Sequence, residues 1–234
     1  MTHLVVIPSL IGFLIKAVLL YLGKISLIRN NFGFLVLICA IHSYCEFVTL
    51  VFLSQGSNVE LLFRLYYVLI IWWFSFSLIY GLELSKVRKN YRTSIIFISV
   101  CMTFLLTFTD YIISGYYFNG YSITAIREKY YLIAPIYLLF VIITSTTVLI
   151  RALRSKRHSN RRKARIGFFL IALSAPFAVI FIIVIAMQLG FKINAMIAFP
   201  VATAIFFLFV LKSDPHEKLS DIRTLLPFLK KKYN

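Results

Sequence analysis

The chain has 234 residues, of which 61% are hydrophobic and only 14% are charged. Soluble domains average about 45–50% apolar and about 25% charged residues, so this composition excludes an ordinary water-soluble globule. Its hydrophobicity also excludes intrinsic disorder. The mean hydropathy of +0.89, together with a formal net charge of +17, indicates a basic polytopic membrane protein.

Seven stretches of the chain are apolar over about the 20 residues that a helix needs to cross the hydrocarbon core. They are apolar all round, whereas a soluble surface helix has one apolar stripe and a polar face. We predict an all-α, seven-transmembrane helix bundle within residues 1–212. In chain order the predicted spans are Leu4–Gly23, Phe32–Leu53, Leu61–Gly81, Ser94–Tyr116, Tyr131–Ile150, Ile166–Phe191 and Ala195–Leu211.

Lysine and arginine are distributed unevenly over the connections between these spans. Twenty of the 25 lie in alternate loops and in the C-terminal segment. The opposite side of the predicted bundle holds only Arg64, Arg127, Lys129 and Lys192, and Lys16 lies inside the first span. Cytoplasmic loops carry the excess of basic residues, so we predict an external N-terminus and a cytoplasmic C-terminus. The basic loops lie against the lipid bilayer, and we therefore expect no nucleic acid as partner.

Residues 213–234 differ from the rest of the chain. Asp214-Pro215 is a typical helix start, and Leu219, Ile222, Leu226 and Leu229 follow at spacings that draw one apolar stripe. We predict a cytoplasmic amphipathic helix that lies on the membrane or against a partner helix.

Ionisable side chains inside a membrane normally face the bundle interior and find a partner. Counting from the predicted helix ends at about 1.5 Å per residue places Glu46, Arg64 and Asp110 in the outer third of their spans. We predict that Arg64 pairs with Glu46 or Asp110. The pair is interpreted either as the floor of an outward-opening ligand pocket or as a structural lock between helices.

Trp72 and Trp73 add large aromatic side chains near mid-depth, as the wall of the same pocket or as plain helix packing. The loop Gly115–Lys129 is rich in tyrosine, which is typical of an interfacial belt, with a lid over the pocket as the alternative. His42 lies near two cysteines on one helix, but one helix alone cannot surround an ion. We therefore predict neither a metal nor another cofactor.

No catalytic signature is present. The sequence has no G-x-S-x-G, no H-E-x-x-H and no Walker lysine loop, and no nucleophile and base lie at related depths. We therefore expect that the protein is not an enzyme.

Four segments are similar in character and order to a known family: Trp72–Tyr80, Thr107–Asp110, Leu149–Arg154, and the basic run Arg161–Arg165 before a proline-containing span. Over residues 4–212 the chain resembles the N-terminal seven-helix sensor region of bacterial membrane histidine kinases. The resemblance implies an outward or intramembrane ligand pocket and output through the last helix. These 234 residues contain no kinase or cyclase domain, so the resemblance also implies a free-standing receptor half, a separate output partner or a longer protein. Because the family is bacterial, it implies a bacterial inner membrane as the location.

The leading hypothesis is a membrane-embedded sensor or receptor that binds a small ligand from the outer side and relays a helix shift to a cytoplasmic partner. The predicted ligand-binding residues are Glu46, Arg64, Trp72, Trp73 and Asp110. A seven-helix small-solute transporter and a non-catalytic scaffold or accessory subunit remain as alternatives. A homodimer is compatible with each of them.

Overall fold

The structure is a computed structural model that describes residues 31–86, 91–118, 123–156 and 158–188, with single helical positions at 10, 11, 14, 205, 206 and 209. The predicted first and seventh spans lie almost wholly outside the described residues, and the tail 213–234 lies outside them entirely. The number of spans and their orientation therefore stay predictions.

Five long helices and a two-stranded hairpin make up the described ranges. In chain order they are α1 (Asn31–Ser54), α2 (Glu60–Leu84), α3 (Tyr91–Phe108), β1 (Ile113–Phe118), β2 (Ile123–Arg127), α4 (Ile133–Arg154) and α5 (Asn160–Gln188). α1 to α4 are each long and apolar enough to cross a membrane, and they match the predicted second to fifth spans. The chain is thus a mostly helical integral membrane protein.

The fold is not all-α, because the predicted fourth span Ser94–Tyr116 is wrong at its end. α3 stops at Phe108, and the antiparallel hairpin β1–β2 follows, with Ile113 opposite Arg127 and Phe118 opposite Ile123. Apolarity alone suggested a longer helix. However, β-branched and aromatic residues favour a strand, and Gly115 in their midst weakens a helix by about 1 kcal/mol relative to alanine.

α2 is the central helix of the described bundle. It packs against α1, α3, α4 and α5, whereas α3 and α4 make little direct contact with each other. Every residue from Ser75 to Gly81 is buried, which agrees with the rule that a helix apolar all round is enclosed on all sides. The ring of Tyr80 lies 5.4 Å from that of Phe32 on α1 and 4.8 Å from that of Phe169 on α5.

The bundle has two ends of different character. The hairpin end comprises the start of α2, the end of α3 and the hairpin, where Phe63 and Leu106 pack with the buried Ile113 and Ala125. The basic end comprises the end of α2, the start of α3 and the junction of α4 and α5 at residues 151–165. The candidate sites below lie at these ends and between them.

Candidate functional site

Arg64 is the centre of a polar cluster at the hairpin end, and its side chain is only 8% exposed. Nε and Nη2 donate to Oε1 of Glu60 at 3.2 and 2.9 Å, and Nη2 also donates to Oδ1 of Asp110. Nη1 donates to the main-chain carbonyls of Leu106 and Thr109 at 3.3 and 2.9 Å. A guanidinium has five N–H groups, so every donor of Arg64 has a partner within the protein.

The two carbonyl bonds make Arg64 a cap for the end of α3. The last four carbonyls of a helix have no partner in the helix itself, and an arginine nearby can satisfy them. Leu106 supplies one such carbonyl in the last turn of α3, and Thr109 supplies a second carbonyl just beyond the helix. Arg64 therefore joins the start of α2 to the end of α3 through both charge and main-chain bonds.

The predicted pairing of Arg64 with Asp110 is confirmed. The predicted position of Asp110 inside a span is wrong, because α3 ends two residues earlier and the Asp110 side chain is 74% exposed. Glu46 is not among the partners that receive the five N–H groups of Arg64. Sequence reasoning missed Glu60, although it lies four residues before Arg64, a spacing that brings opposite charges together on a helix.

A second polar cluster is buried between α1 and α2. His42 is 0% and Glu46 is 2% exposed, and their spacing of four residues puts them on one face of α1. The imidazole of His42 lies 4.6 Å from the ring of Tyr66 and 5.6 Å from that of Trp73, between centroids. Two aromatic side chains of α2 thus border a histidine that is enclosed in the bundle.

Trp73 also contacts the predicted seventh span. Its ring meets that of Phe206 edge to face at 4.8 Å, and both residues are buried. The neighbouring Trp72 faces another way, because successive residues of a helix are about 100° apart. Trp72 Nε1 donates to Oγ1 of Thr103 on α3 at 2.9 Å. The two tryptophans therefore touch different helices.

A cluster of hydroxyl groups joins α2, α3 and α4 near the middle of the bundle. Ser99 Oγ donates to Ser75 Oγ at 2.7 Å, and Tyr137 Oη lies 2.7 Å from Ser75 Oγ and 3.2 Å from Ser99 Oγ. Such bonds hold membrane helices together where no water is available. Sequence reasoning missed this cluster, since the three residues are far apart in the chain and only the packing brings them together.

The basic end has its own arginine cap. Arg162 of α5 donates from Nε to the carbonyl of Leu84 at 2.6 Å and from Nη2 to that of Glu83 at 3.0 Å. A cavity of about 960 Å³ lies beside this cap, between α2, α3 and α4. None of the five predicted ligand-binding residues lines it.

The five predicted residues fall into three environments. Arg64 and Asp110 meet at the hairpin end, Glu46 and Trp73 belong to the buried surroundings of His42, and Trp72 turns to α3. The described residues include no group of three or more side chains suited to hold a metal ion. No protein-family model matches the chain, and no curated protein matches its sequence.

Proposed function

We propose that this chain is a membrane-embedded sensor with seven spans, an external N-terminus and a cytoplasmic C-terminus, in a bacterial inner membrane. A small ligand enters from the outer side and binds beside Glu46 and Trp73. The response leaves through the seventh span and the tail to a separate cytoplasmic partner. The 29-residue length of α5 supports the topology, because at about 1.5 Å per residue this helix also exceeds the hydrocarbon thickness.

One observation carries this proposal: Trp73 contacts both His42 in the buried polar cluster and Phe206 in the predicted seventh span. A ligand shifts a conformational equilibrium only through different interactions with the two states. A ligand that displaces the Trp73 ring acts directly on its edge-to-face contact with Phe206. This is a physical route from the interior of the bundle to the last span.

Arg64 and Asp110 have a supporting role in this proposal. Since all five N–H groups of Arg64 are bonded within the protein, an anionic ligand would have to displace Glu60 or Asp110 to reach the guanidinium. We therefore assign the cluster to the outer edge of the ligand site, where it holds α2 and α3 in place. Glu46 and Trp73 then supply the ligand contacts.

The coupling can be tested without knowing the ligand. A nitroxide is attached to Tyr233→Cys in a background in which Cys39, Cys45 and Cys101 are replaced by alanine, and its mobility is measured in lipid nanodiscs. Trp73→Leu removes the contacts with both His42 and Phe206. We expect this variant to change the nitroxide spectrum at position 233.

Trp72→Leu is the matched control, because this adjacent tryptophan bonds to Thr103 and not to Phe206. We expect it to leave the spectrum at position 233 unchanged. If the two variants have the same effect, or if neither has any, the proposed route from Trp73 to the tail is wrong.

The topology is tested separately by labelling His3→Cys and Tyr233→Cys with a membrane-impermeant maleimide in oriented vesicles. We expect labelling of position 3 from the outside only and of position 233 from the inside only. Labelling of both positions from one side would contradict an odd number of spans.

A non-catalytic scaffold is the second candidate, and the saturated Arg64 cluster favours it. A side chain with every donor bonded internally acts first as a brace between helices. In a scaffold, Trp73→Leu would lower the stability without changing the nitroxide spectrum, and the chain would co-purify with one partner in fixed proportion.

A further inference from the structure

The cavity at the basic end has two zones of different chemistry. Its walls are apolar along the bundle, with Leu82 on α2, Ile98 on α3, and Phe140 and Val148 on α4. Toward the ends of the helices the lining changes to Lys86, Arg151 and His158, and no described aspartate or glutamate lines it. The cavity therefore combines an apolar groove with a basic mouth.

The charges at the mouth are not compensated within the described part of the chain. The ammonium of Lys86 and the guanidinium of Arg151 form no ion pair with any described carboxylate. The pKa of His158 lies below its ordinary value, first because the imidazole is partly buried and then because Arg162, Lys86 and Lys163 are close. The second cause reflects the positive charges gathered at the mouth, which favour an anion.

The backbone fixes the position of Lys86. Its φ of 55° is the one positive value for a non-glycine residue in the described ranges, a conformation that residues other than glycine seldom adopt. Arg162 bonds to the carbonyls of Glu83 and Leu84, which lie three and two residues before Lys86. The ammonium group thus extends from the end of a helix that Arg162 caps.

The groove is open because α3 and α4 both pack on α2 but scarcely touch each other at this end. The hydroxyl cluster of Ser75, Ser99 and Tyr137 closes the gap farther along the bundle. Ile98 and Phe140, which follow this closure toward the basic end, are 42% and 59% exposed. An apolar chain entering from the bilayer can lie between them.

We propose that this cavity binds an anionic phospholipid of the surrounding bilayer, with its phosphate between Lys86 and Arg151 and one acyl chain in the groove between α3 and α4. The volume of about 960 Å³ is near the upper limit of typical small-molecule sites, about 300–1,000 Å³. Basic pockets between membrane helices are known to bind phosphate-bearing head groups. This site is separate from the ligand site proposed around Trp73.

The test measures which lipid the full chain retains. The protein is reconstituted in nanodiscs of equal parts phosphatidylcholine and phosphatidylglycerol, extracted with a delipidating detergent, and analysed by native mass spectrometry. We expect phosphatidylglycerol to be retained in preference to phosphatidylcholine. In the double variant K86Q/R151Q its retention should fall about 25-fold, since each of the two basic residues near an anionic lipid contributes a factor of about five.

The matched control is R154Q/K156Q, which removes two positive charges from the same segment but from residues that do not line the cavity. We expect this variant to retain phosphatidylglycerol within about twofold of the unaltered protein, because neither residue would touch a lipid in the cavity and salt screens exposed charges at a distance. Equal losses in the two double variants would mean general attraction to a basic surface and would overturn the proposal.

Two further arms distinguish a lipid from a free phosphate. Val148→Trp fills the apolar groove and leaves both basic residues in place, so lipid retention should fall while the melting temperature stays close to that of the unaltered protein. Millimolar inorganic phosphate should not displace the lipid. Displacement by phosphate would identify a soluble anion as the occupant. Unchanged retention in Val148→Trp would show that the bound lipid does not use the groove. Either result would overturn the proposal.

Discussion

The two ends of the bundle each use an arginine to cap a neighbouring helix, but the two arginines differ in their charge environment. Arg64 bonds to two carbonyls at the end of α3 and also to Glu60 and Asp110. Arg162 bonds to two carbonyls at the end of α2, and no described carboxylate pairs with it. Both arginines thus bond to carbonyls at the end of a helix. The charge of Arg64 is neutralised by two carboxylates, whereas no described carboxylate neutralises that of Arg162.

This difference shows how a membrane protein can hold its hairpin end together with internal bonds and leave the charges of its basic end able to attract an anion. At the hairpin end, carboxylates and main-chain carbonyls together accept all the N–H groups of Arg64, and the hairpin packs over the core. At the basic end the cations surround an open cavity, so their field is available to an anion from outside the protein. Four predictions test this comparison, beginning with the largest expected effect.

Arg64→Leu should lower the free energy of unfolding by about 3 kcal/mol. This is near the lower end of the loss for a broken buried ion pair, because Glu60 and Asp110 are partly exposed and can be hydrated after the change. The measurement is the melting temperature in detergent. Arg64→Lys should lose less, since it keeps the charge but lacks the planar fork of donors. A loss below about 0.5 kcal/mol in Arg64→Leu would remove the distinction between the two ends.

Arg162→Gln should cost about 1.5 kcal/mol, because two charge-assisted bonds to carbonyls are lost without breaking an ion pair. Lys163→Gln removes the same charge from the next residue and should stay within about 0.5 kcal/mol of the unaltered protein. If both variants behave alike, the capping of α2 by Arg162 is not a source of stability.

Ser99→Ala should cost about 1 kcal/mol, since it removes the link between α2 and α3 where the closed half of the bundle meets the cavity. Ser145 is also buried, but its Oγ has no hydrogen-bond partner among the described residues. Ser145→Ala should therefore be neutral or slightly stabilising. Chemical denaturation of both variants decides the matter, and equal losses would contradict a specific role for the hydroxyl cluster.

The smallest effect concerns pH. The pKa of His158 is lower in the folded protein than in the unfolded chain, so the folded state takes up a proton less readily. The stability that His158 contributes is therefore present above its unfolded pKa, about 6.5, and is lost as the pH falls through the lowered folded value. Between pH 7.5 and pH 5, the melting temperature of His158→Gln should fall slightly less than that of the unaltered protein. An identical pH dependence would contradict a lowered pKa of His158 in the folded protein.

The candidate site was predictable in part. Burial of an ionisable group in lipid demands a partner, and this rule suggested Glu46 or Asp110 as the partner of Arg64. Asp110 does pair with Arg64, but so does Glu60, which the rule did not suggest. The same rule could not say that Asp110 lies beyond the helix. The hydropathy of residues 109–116 suits a helix and a strand equally, and the pairing of β1 with β2 decides between them.

The different contacts of Trp72 and Trp73 could not be predicted from the sequence. Both lie on α2 at almost the same depth, and the sequence offers no reason to separate their roles. The packing of α3 on one side of α2, and of Phe206 on another, gives one tryptophan a hydrogen bond and the other a contact with the predicted seventh span.

The amino-acid sequence by itself determined that this chain enters a membrane as a set of long helices, because the enrichment in apolar residues and the length of the apolar runs are properties of consecutive residues. The tertiary structure alone decided which distant groups meet: Arg64 with the end of α3, and Ser75 with Ser99 and Tyr137. It also decided that Lys86 and Arg151 line the same cavity. The physical reason is that hydrophobic burial is non-directional and additive along the chain, whereas hydrogen bonds and ion pairs depend on atomic geometry, which only the packing of helices provides.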